Sequence, residues 1–242
     1  MKNKKTILVT GGSVRLGRRI CLDLASDGYN IIIHYNKSKK NAINLKKEIL
    51  DNGNDCEIIK CDFNHKKQVG QLIRKSSKIF GSMYALVNNA SIFENDKISN
   101  FNDKGWEKHM AINLYAPLKL SQDFYKYLSK GNKAHIINIL DQNIVNPDTN
   151  FFSYSIAKYG LHGSTPILAK EFAPNISVNS IGPGPTLKNI HQSEKHFKNK
   201  KNNTLLKKGS PPEEISNTVR FILKSRSMTG QLIIVDGGEH IS

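Results

Sequence analysis

The 242-residue chain has only three cysteines, Cys21, Cys56 and Cys61, and they are scattered along the sequence. Three isolated thiols are too few for a disulfide framework, and none has a histidine or cysteine partner at the spacing of metal ligands. Disulfide-stabilised and small zinc-binding folds are therefore excluded. We predict a protein of the reducing cytoplasm that uses no metal.

The sequence also has no apolar run of about 18 residues, the length that a transmembrane helix needs. Residues 1–5 are mostly lysine and asparagine and pass directly into a strand-like segment, without the apolar core of a signal peptide. We therefore expect no membrane association. A hydrophobic content of 38% supports a sizeable core, and no linker or internal repeat divides the chain, so we predict one domain, 1–242.

Acidic residues are scarce, because 20 aspartates and glutamates stand against 36 lysines and arginines, for a formal net charge of +16. Clustered positive charge is typical of proteins that bind nucleic acids. Here the lysines are spread along the whole chain among asparagine and isoleucine, so compositional bias explains the charge as well. We predict no nucleic-acid partner, although an anionic cofactor or substrate would benefit from the charge.

Apolar, β-branched runs alternate strictly with longer amphipathic stretches. The predicted strands are 7–9, 31–33, 58–59, 85–87, 136–140, 176–178 and 232–235, and the predicted helices are 16–26, 39–51, 67–79, 103–130, 152–172 and 211–224. Such alternation specifies a parallel sheet that is covered on both faces. The predicted fold class is α/β, a Rossmann-type doubly wound sheet of about seven strands.

One stretch, 186–209, is rich in lysine, asparagine and histidine and shows little apolar periodicity. It begins just past the carboxyl end of a predicted strand, which is where a lid over a substrate site would have to start. Two alternatives remain open from the sequence, a disordered surface insertion and a mobile substrate lid.

The segment Thr10-Gly11-Gly12-Ser13-Val14-Arg15-Leu16-Gly17 follows the first predicted strand and begins the first helix. Backbone N–H groups and the helix dipole can bind a pyrophosphate at such a turn, and glycines allow a close backbone approach. Glycine-rich turns also occur for packing reasons. The position of this one after the first strand of an alternating pattern favours dinucleotide binding.

The end of the second predicted strand distinguishes between cofactors. A carboxylate there would bind the ribose 2′-hydroxyl of NAD, whereas cationic groups would bind the 2′-phosphate of NADP. The chain has Asn36-Lys37-Ser38 and no acid, and Lys37 with Ser38 can donate hydrogen bonds to a phosphate. We predict NADPH as the cofactor, with a solvated basic turn as the plain alternative.

Tyr154 and Lys158 lie four residues apart at the start of a predicted helix, so both side chains project from one face. A nearby ammonium and a positively charged nicotinamide ring would favour the phenolate of Tyr154, whose ordinary pKa is about 10. The pair is therefore predicted to transfer a proton during a hydride-transfer reduction. On its own, the spacing is equally typical of an exposed pair on a surface helix.

In combination these motifs resemble the short-chain dehydrogenase/reductase family over nearly the whole chain. The shared features also include Asp62, Asn88-Asn89-Ala90, Asn113, Pro183-Gly184 and Asp236-Gly237-Gly238, in this order. The resemblance implies that Asp62 and Asn89-Ala90 hold the adenosine, Lys158 binds the nicotinamide ribose, Asn113 supports a water relay and Pro183-Gly184 lies beside the nicotinamide. It also implies a homotetramer that pairs through the two long helices.

Two departures from the common family pattern are informative. Arg15 replaces the middle glycine of the turn, and Asp141 replaces the catalytic serine thirteen residues before Tyr154. A carboxylate at this position would repel the oxyanion that forms when a ketone is reduced. Reduction of a C=N bond instead requires a proton on nitrogen, which Asp141 or Tyr154 could supply.

Both departures resemble the pteridine reductase and dihydromonapterin (dihydrofolate) reductase branch of the family, as do His34-Tyr35, Ser38 and Ser91-Ile92-Phe93. That resemblance implies that Phe93 stacks on the pterin, that Arg15 reaches the pterin and the phosphates, and that Asp141 and Tyr154 supply the proton. The position of Tyr84, where many family members carry an aspartate, has no functional interpretation.

The sequence therefore predicts an NADPH-dependent reductase that converts a dihydropteridine (dihydromonapterin, dihydrobiopterin or dihydrofolate) to the tetrahydro form. The predicted catalytic residues are Asp141, Tyr154, Lys158 and Asn113, and the predicted substrate-binding residues are Arg15, Phe93, Asp141 and Tyr154. The predicted cofactor-binding residues are Gly11, Arg15, Leu16, Asn36, Lys37, Ser38, Asp62, Phe63, Asn89, Ala90, Ser91, Tyr154, Lys158, Pro183 and Gly184. The alternatives are a carbonyl or 3-ketoacyl reductase of the same family, and a cofactor-binding regulatory protein without catalysis.

Overall fold

The computed structural model of the chain describes residues 4–129, 131–188 and 193–242. Its strands are β1 (Thr6–Val9), β2 (Asn30–Tyr35), β3 (Cys56–Lys60), β4 (Met83–Asn88), β5 (Ala134–Ile139), β6 (Ile176–Pro183) and β7 (Leu232–Val235). They form one seven-stranded sheet in the order β3-β2-β1-β4-β5-β6-β7, in which neighbouring strands run parallel. The predicted fold, a single α/β domain with a seven-stranded parallel sheet, is confirmed.

The helices are α1 (Arg15–Ser26), α2 (Lys39–Asp51), α3 (Lys66–Phe80), α4 (Asp103–His109), α5 (Ala116–Tyr127), α6 (Phe152–Phe172), α7 (Glu194–Asn202) and α8 (Pro212–Lys224). One face of the sheet is covered by α1, α2 and α8, and the other by α3, α5 and α6. Among the residues described, no helix combines the length and the apolar content needed to cross a bilayer.

Strand β1 illustrates how the sequence builds both faces. Ile7 and Val9 pack into the cluster under α1, and Leu8 packs into the opposite cluster under α3 and α5. Successive strand residues point to opposite faces, so a strand that is buried on both sides is apolar throughout. All three side chains are 0% exposed, and burying each stabilises the fold by roughly 1.5–3 kcal/mol.

The order of the strands determines where a ligand can bind. The connections leaving β1 and β4, which are neighbours in the sheet, run in opposite directions. A crevice therefore opens between them at the carboxyl edge of the sheet, which is the usual ligand site of such folds.

The predicted helix over Asp103–Lys130 is wrong as a single helix. The chain instead forms α4, a π-helical turn from Met110 to Tyr115, and then α5. Pro117 lacks an N–H group and cannot donate to the carbonyl of Asn113, so one α-helical hydrogen bond is missing at this point and the helix is locally irregular. The predicted last residue, Lys130, lies outside the described residues.

The stretch 186–209 contains α7, which a wholly disordered insertion would not form. None of the described residues 194–202 is buried, which explains the weak apolar periodicity. Lys200 Nζ lies 3.4 Å from the carboxylate of Glu239 near the C-terminus. Residues 189–192 are outside the described residues, and the role of this stretch as a substrate lid stays a prediction.

Candidate active site

The structure brings the predicted site residues to the carboxyl edge of the sheet. Tyr154 and Lys158 come from α6, and Asn113 comes from the π-helical turn. The others follow the ends of strands: Gly11, Arg15 and Leu16 after β1, Asn36, Lys37 and Ser38 after β2, Asp62 and Phe63 after β3, Asn89, Ala90, Ser91 and Phe93 after β4, Asp141 after β5, and Pro183 and Gly184 at β6.

Two glycines are required by the geometry of the turn after β1. Gly11 has a φ of +60°, in the left-handed region that favours glycine. A Cβ on Gly17 would lie 2.3 Å from the carbonyl oxygen of Gly11, so only glycine lets α1 pack this closely against the turn. The glycines of this turn are therefore required by its backbone conformation and packing, and their close approach to a pyrophosphate stays a prediction.

His34 supports this turn from β2. Its Nδ1 accepts a hydrogen bond from the Gly11 N–H (3.0 Å), so the neutral ring carries its proton on Nε2, which donates to the carbonyl of Cys61 (3.0 Å). Burial lowers the pKa of His34 to about 4, and the ring stacks on Phe63 at 4.4 Å. One neutral histidine thus fixes the positions of the turns after β1 and β3.

Thr10 and Asn89 join the loops that flank the crevice. The Thr10 hydroxyl accepts from the N–H groups of Asn89 (2.9 Å) and Ala90 (3.0 Å), and the Asn89 amide donates to the carbonyl of Thr10 (2.8 Å). These bonds hold the turn after β4 against the turn after β1. Ser13 and Ser38, whose hydroxyls lie 3.0 Å apart, make the corresponding link to the end of β2.

The N-terminus of α1 fits a dinucleotide phosphate. Within the described residues, no side chain caps this helix at Val14, so its first N–H groups and its dipole are available to an anion. Ser38 and the exposed Lys37 lie beside it at the end of β2, where a 2′-phosphate would need donors. The residues present therefore fit the pyrophosphate and the phosphorylated ribose of a nicotinamide dinucleotide.

Arg15 occupies a position that glycine would normally take, with a φ of +54°. Its guanidinium donates to the carbonyls of Lys188 (2.8 Å) and Leu187 (3.0 Å). The turn is thereby tied to the first residues of the 186–209 stretch. The predicted contact of Arg15 with pterin and phosphates stays a prediction.

The catalytic candidates form one hydrogen-bonded group. The Tyr154 hydroxyl donates to the carboxylate of Asp141 (2.7 Å), which also accepts from the Asn143 N–H (2.9 Å). Lys158 Nζ donates to the carbonyl of Ile139 (2.7 Å). Tyr154 and Lys158 are only 5% and 3% exposed, so they are not an exposed surface pair.

The pKa values of this group are shifted by burial and by the contacts within it. Burial and the neighbouring Asp141 raise the pKa of the Tyr154 phenol well above its ordinary value, and the phenolate expected beside Lys158 and a positively charged nicotinamide ring stays a prediction. Burial also raises the pKa of Asp141, although bonds from Asn143 and Tyr154 act against it. Burial lowers the pKa of Lys158 to about 8, against the opposing effect of Asp141. The site therefore holds a proton between Tyr154 and Asp141.

Aromatic side chains form the wall next to Tyr154. The Phe93 ring stacks on Phe151 at 3.9 Å and meets the Tyr154 ring edge-on at 4.7 Å. Phe93 remains 39% exposed, so it is not the core aromatic that its sequence position alone would favour. A flat ring could stack on its open surface.

Asn113 makes contacts that differ from a water relay. Its amide oxygen accepts from the Ile92 N–H (2.9 Å) and the Ser91 hydroxyl (3.1 Å), and its amide nitrogen donates to the Ile92 carbonyl (3.0 Å). These bonds fix the backbone immediately before Phe93. The relay role of Asn113 stays a prediction.

Sequence reasoning missed the roles of His34, Phe151 and Asp96 at this edge. A histidine inside the apolar strand β2 was a usable signal, because a buried polar side chain needs hydrogen-bond partners. Phe151 and Asp96 had no local signal.

Pro183-Gly184 packs on the C-terminal turn, where a Cβ on Gly184 would lie 2.6 Å from Cβ of Asp236.

The chain is similar in sequence and in fold to known proteins. The chain matches the family model for short chain dehydrogenase over residues 5–199. It is 29% identical to 3-oxoacyl-[acyl-carrier-protein] reductase FabG of Staphylococcus aureus over 246 residues, covering 100% of each chain. FolM alternative dihydrofolate reductase 1 from Brucella suis, solved with NADP, is similar with a TM-score of 0.96 and 35% identity, covering 100% of this chain and 97% of that one. The Brucella canis protein of the same description, complexed with NADP, gives a TM-score of 0.94 at 35% identity and covers 100% and 96%.

Proposed function

The chain belongs to the short-chain dehydrogenase family, and on that premise we propose that it is an NADPH-dependent reductase of a dihydropteridine. The observation that carries this proposal is the bond of 2.7 Å between Tyr154 and the carboxylate of Asp141. A carboxylate beside the reacting atoms disfavours a developing oxyanion. The same group favours a substrate whose nitrogen must gain a proton.

NADPH is the cofactor that the open N-terminus of α1 and the Lys37-Ser38 pair fit. When bound, it supplies the hydride. Asn89 and Asp62 would hold the adenosine end, and Lys158 the nicotinamide ribose. The Brucella proteins, solved with NADP and 35% identical to this chain over its whole length, support this assignment.

Tyr154 and Asp141 perform the acid-base step as a coupled pair. Their shared proton lies next to the wall formed by Phe93, so it can be donated to the substrate nitrogen when the adjacent carbon is reduced. Lys158, buried beneath the pair, limits the negative charge that remains after the proton has left. The proton must then be restored from solvent before the next turnover.

Phe93 provides the recognition of a flat heterocycle. Its ring is backed by Phe151 and held edge-on to Tyr154, so a pteridine stacked on its open face would lie beside the proton donor. This arrangement supports a pteridine rather than a flexible acyl chain. The description of the Brucella proteins as alternative dihydrofolate reductases agrees with it.

A second candidate function is reduction of a 3-ketoacyl thioester. The relatives described as FabG reductases, 29% identical over the whole chain, favour it. In that case Asp141 would be an incidental replacement, and its negative charge would have to be tolerated next to the developing oxyanion.

Steady-state oxidation of NADPH by the purified protein distinguishes these functions. We expect turnover with dihydrofolate, dihydromonapterin or dihydrobiopterin, and slower turnover when NADH replaces NADPH. Turnover of a ketoacyl thioester together with inactivity towards all three pteridines would overturn the proposed function. Binding of NADPH without turnover of any of these substrates would instead favour a regulatory protein.

We further propose that the protein is a homotetramer assembled through α5 and α6. Large apolar side chains are exposed on these helices, including Tyr125 (42%) and Ile167 (67%). An assembly through these two helices would cover these side chains. Light scattering coupled to size-exclusion chromatography should give four times the chain mass of 27.2 kDa, and a monomer would contradict it.

A further inference from the structure

The N-cap residue of α6, the helix that carries Tyr154 and Lys158, provides no capping side chain within the described residues. This residue, Phe151, has a left-handed φ of +57°. The first N–H groups of a helix must nevertheless be paired, or they weaken its first turn. Tyr154 lies in this first turn, so whatever pairs these groups also fixes the catalytic side chain.

Asp96, which lies 57 residues before Ser153 in the sequence, accepts hydrogen bonds from the first N–H groups of α6. Its carboxylate accepts from the Ser153 N–H (3.0 Å) and from the Ser153 hydroxyl, and its backbone carbonyl accepts from the Phe152 N–H (3.2 Å). Ser153 is 0% exposed, so these bonds are shielded from water. The negative charge also suits the positive end of the helix dipole.

Asp96 ends the segment that carries Phe93. The amide of Asn113 holds the start of this segment at Ile92, and Asp96 holds its end on Ser153. Between these two fixed points, Phe93 stacks on Phe151. The stacking aromatic and the proton donor thus belong to two segments that Asp96 joins.

We propose that Asp96 is a positioning residue that fixes Phe93 relative to Tyr154, so that a substrate ring stacked on the open face of Phe93 lies beside the proton donor. The inference rests on the proposed function, because this placement matters most for a flat substrate that stacks on Phe93. Asp96 acts through the two aromatic residues and takes no part in the chemistry.

The test compares Asp96→Ala and Asp96→Asn with wild type and with Asp148→Ala. Asp148 is a matched control, since it bonds to Asn150 within its own exposed turn. We expect Asp96→Ala to raise KM for the dihydropteridine about tenfold and to lower kcat, while Kd for NADPH stays within about twofold. Asn at this position can still accept from the Ser153 N–H and donate to its hydroxyl, so Asp96→Asn should recover most of the activity.

A double-mutant cycle separates positioning from stability. If Asp96 acts through Phe93, Asp96→Ala should have less effect on KM in a Phe93→Leu background than in wild type. Should Asp96→Ala fail to fold, Ser153→Ala replaces it and should raise KM about threefold.

Three results would overturn the proposed role of Asp96. Equal KM values for Asp96→Ala and Asp148→Ala would overturn the inference. If Ser153→Ala has replaced Asp96→Ala, equal KM values for Ser153→Ala and Asp148→Ala would also overturn it. Full additivity of the effects of Asp96→Ala and Phe93→Leu on KM would overturn it as well. Absence of dihydropteridine turnover by the wild type would overturn the proposed function itself, and the inference with it.

Discussion

A tyrosine is hydrogen-bonded to a titratable side chain at each edge of the sheet. At the amino edge, Tyr84 donates to the carbonyl of Leu223 (3.1 Å) and meets His135 Nε2 (3.0 Å), whose Nδ1 lies 2.7 Å from the Ser177 hydroxyl. At the carboxyl edge, Tyr154 donates to the carboxylate of Asp141. The two groups are similar in arrangement, but the Tyr84 hydroxyl donates to a backbone carbonyl and the Tyr154 hydroxyl donates to a carboxylate.

The difference lies in the charge of the partner. Burial lowers the pKa of His135 to about 4 and raises the pKa of Tyr84, so the amino-edge group is neutral throughout the physiological range. At the carboxyl edge, burial lowers the pKa of Lys158 to about 8 and raises the pKa of Asp141, so burial disfavours the charged form of both residues. Tyr154 is therefore bonded to a group that is negatively charged when ionised, and perturbed pKa values of this kind are typical of functional sites.

Removing each tyrosine hydroxyl is the strongest way to test this contrast. Tyr154→Phe removes the proton donor and should lower kcat by about 10²–10⁴-fold. Tyr84→Phe should leave kcat within about twofold, because its bonds are structural, and should cost about 1 kcal/mol of unfolding free energy. Steady-state kinetics and denaturant unfolding of both variants measure the two effects. A comparable loss of kcat in both would contradict the comparison.

His34 and His135, whose pKa values are both depressed, provide a second, smaller contrast. His34 and His135 both have a pKa of about 4 in the fold, against 6.5 ordinarily, but only His34 accepts from the Gly11 N–H of the phosphate turn. His34→Phe should therefore weaken NADPH binding about tenfold, whereas His135→Phe should leave Kd within about twofold. Cofactor fluorescence titration measures both, and equal Kd values would contradict the role of His34.

Acid stability should follow from the same two histidines. Their folded pKa values are depressed, so between pH 6.5 and about 4 the unfolded chain binds more protons than the folded one. Stability is therefore lost as the pH falls through this window, by on the order of 3 kcal/mol for the fully buried His34. Urea unfolding at pH 7 and pH 4.5 measures the loss. A loss in His34→Phe as large as in wild type would contradict the assignment.

Much of the fold was predictable because its signals are local and periodic. The bounds of α6, 152–172, follow from the sequence pattern, and so does the place of Tyr154 in its first turn. The motifs at Gly11 and Asp62 follow the ends of strands that the alternation already specifies. The π-helical turn was missed because it lies within a continuous amphipathic pattern. Pro117, which lacks an N–H group, was a local signal of irregularity there, but Pro166 lies inside the unbroken α6, so a proline alone does not identify such a turn.

The supports of the site could not be predicted for a different reason. Asp96 reaches Ser153 across 57 residues and His34 reaches Gly11 across 23, and neither pair forms a pattern along the chain. The protonation of Tyr154 was likewise inaccessible, because it depends on the burial of Tyr154 and on its distance from Asp141. Residue types predicted the participants, and their contacts required the three-dimensional structure.

The substrate preference of Asp141→Ser tests the central claim most directly. The ratio of kcat/KM for a dihydropteridine to kcat/KM for a 3-ketoacyl thioester should be measured with NADPH in wild type and in this variant. We expect a wild-type ratio well above one that falls at least about 100-fold in Asp141→Ser, because a serine hydroxyl supports an oxyanion and cannot replace the carboxylate that shares the Tyr154 proton. A wild-type ratio below one, or a ratio unchanged by the substitution, would contradict it.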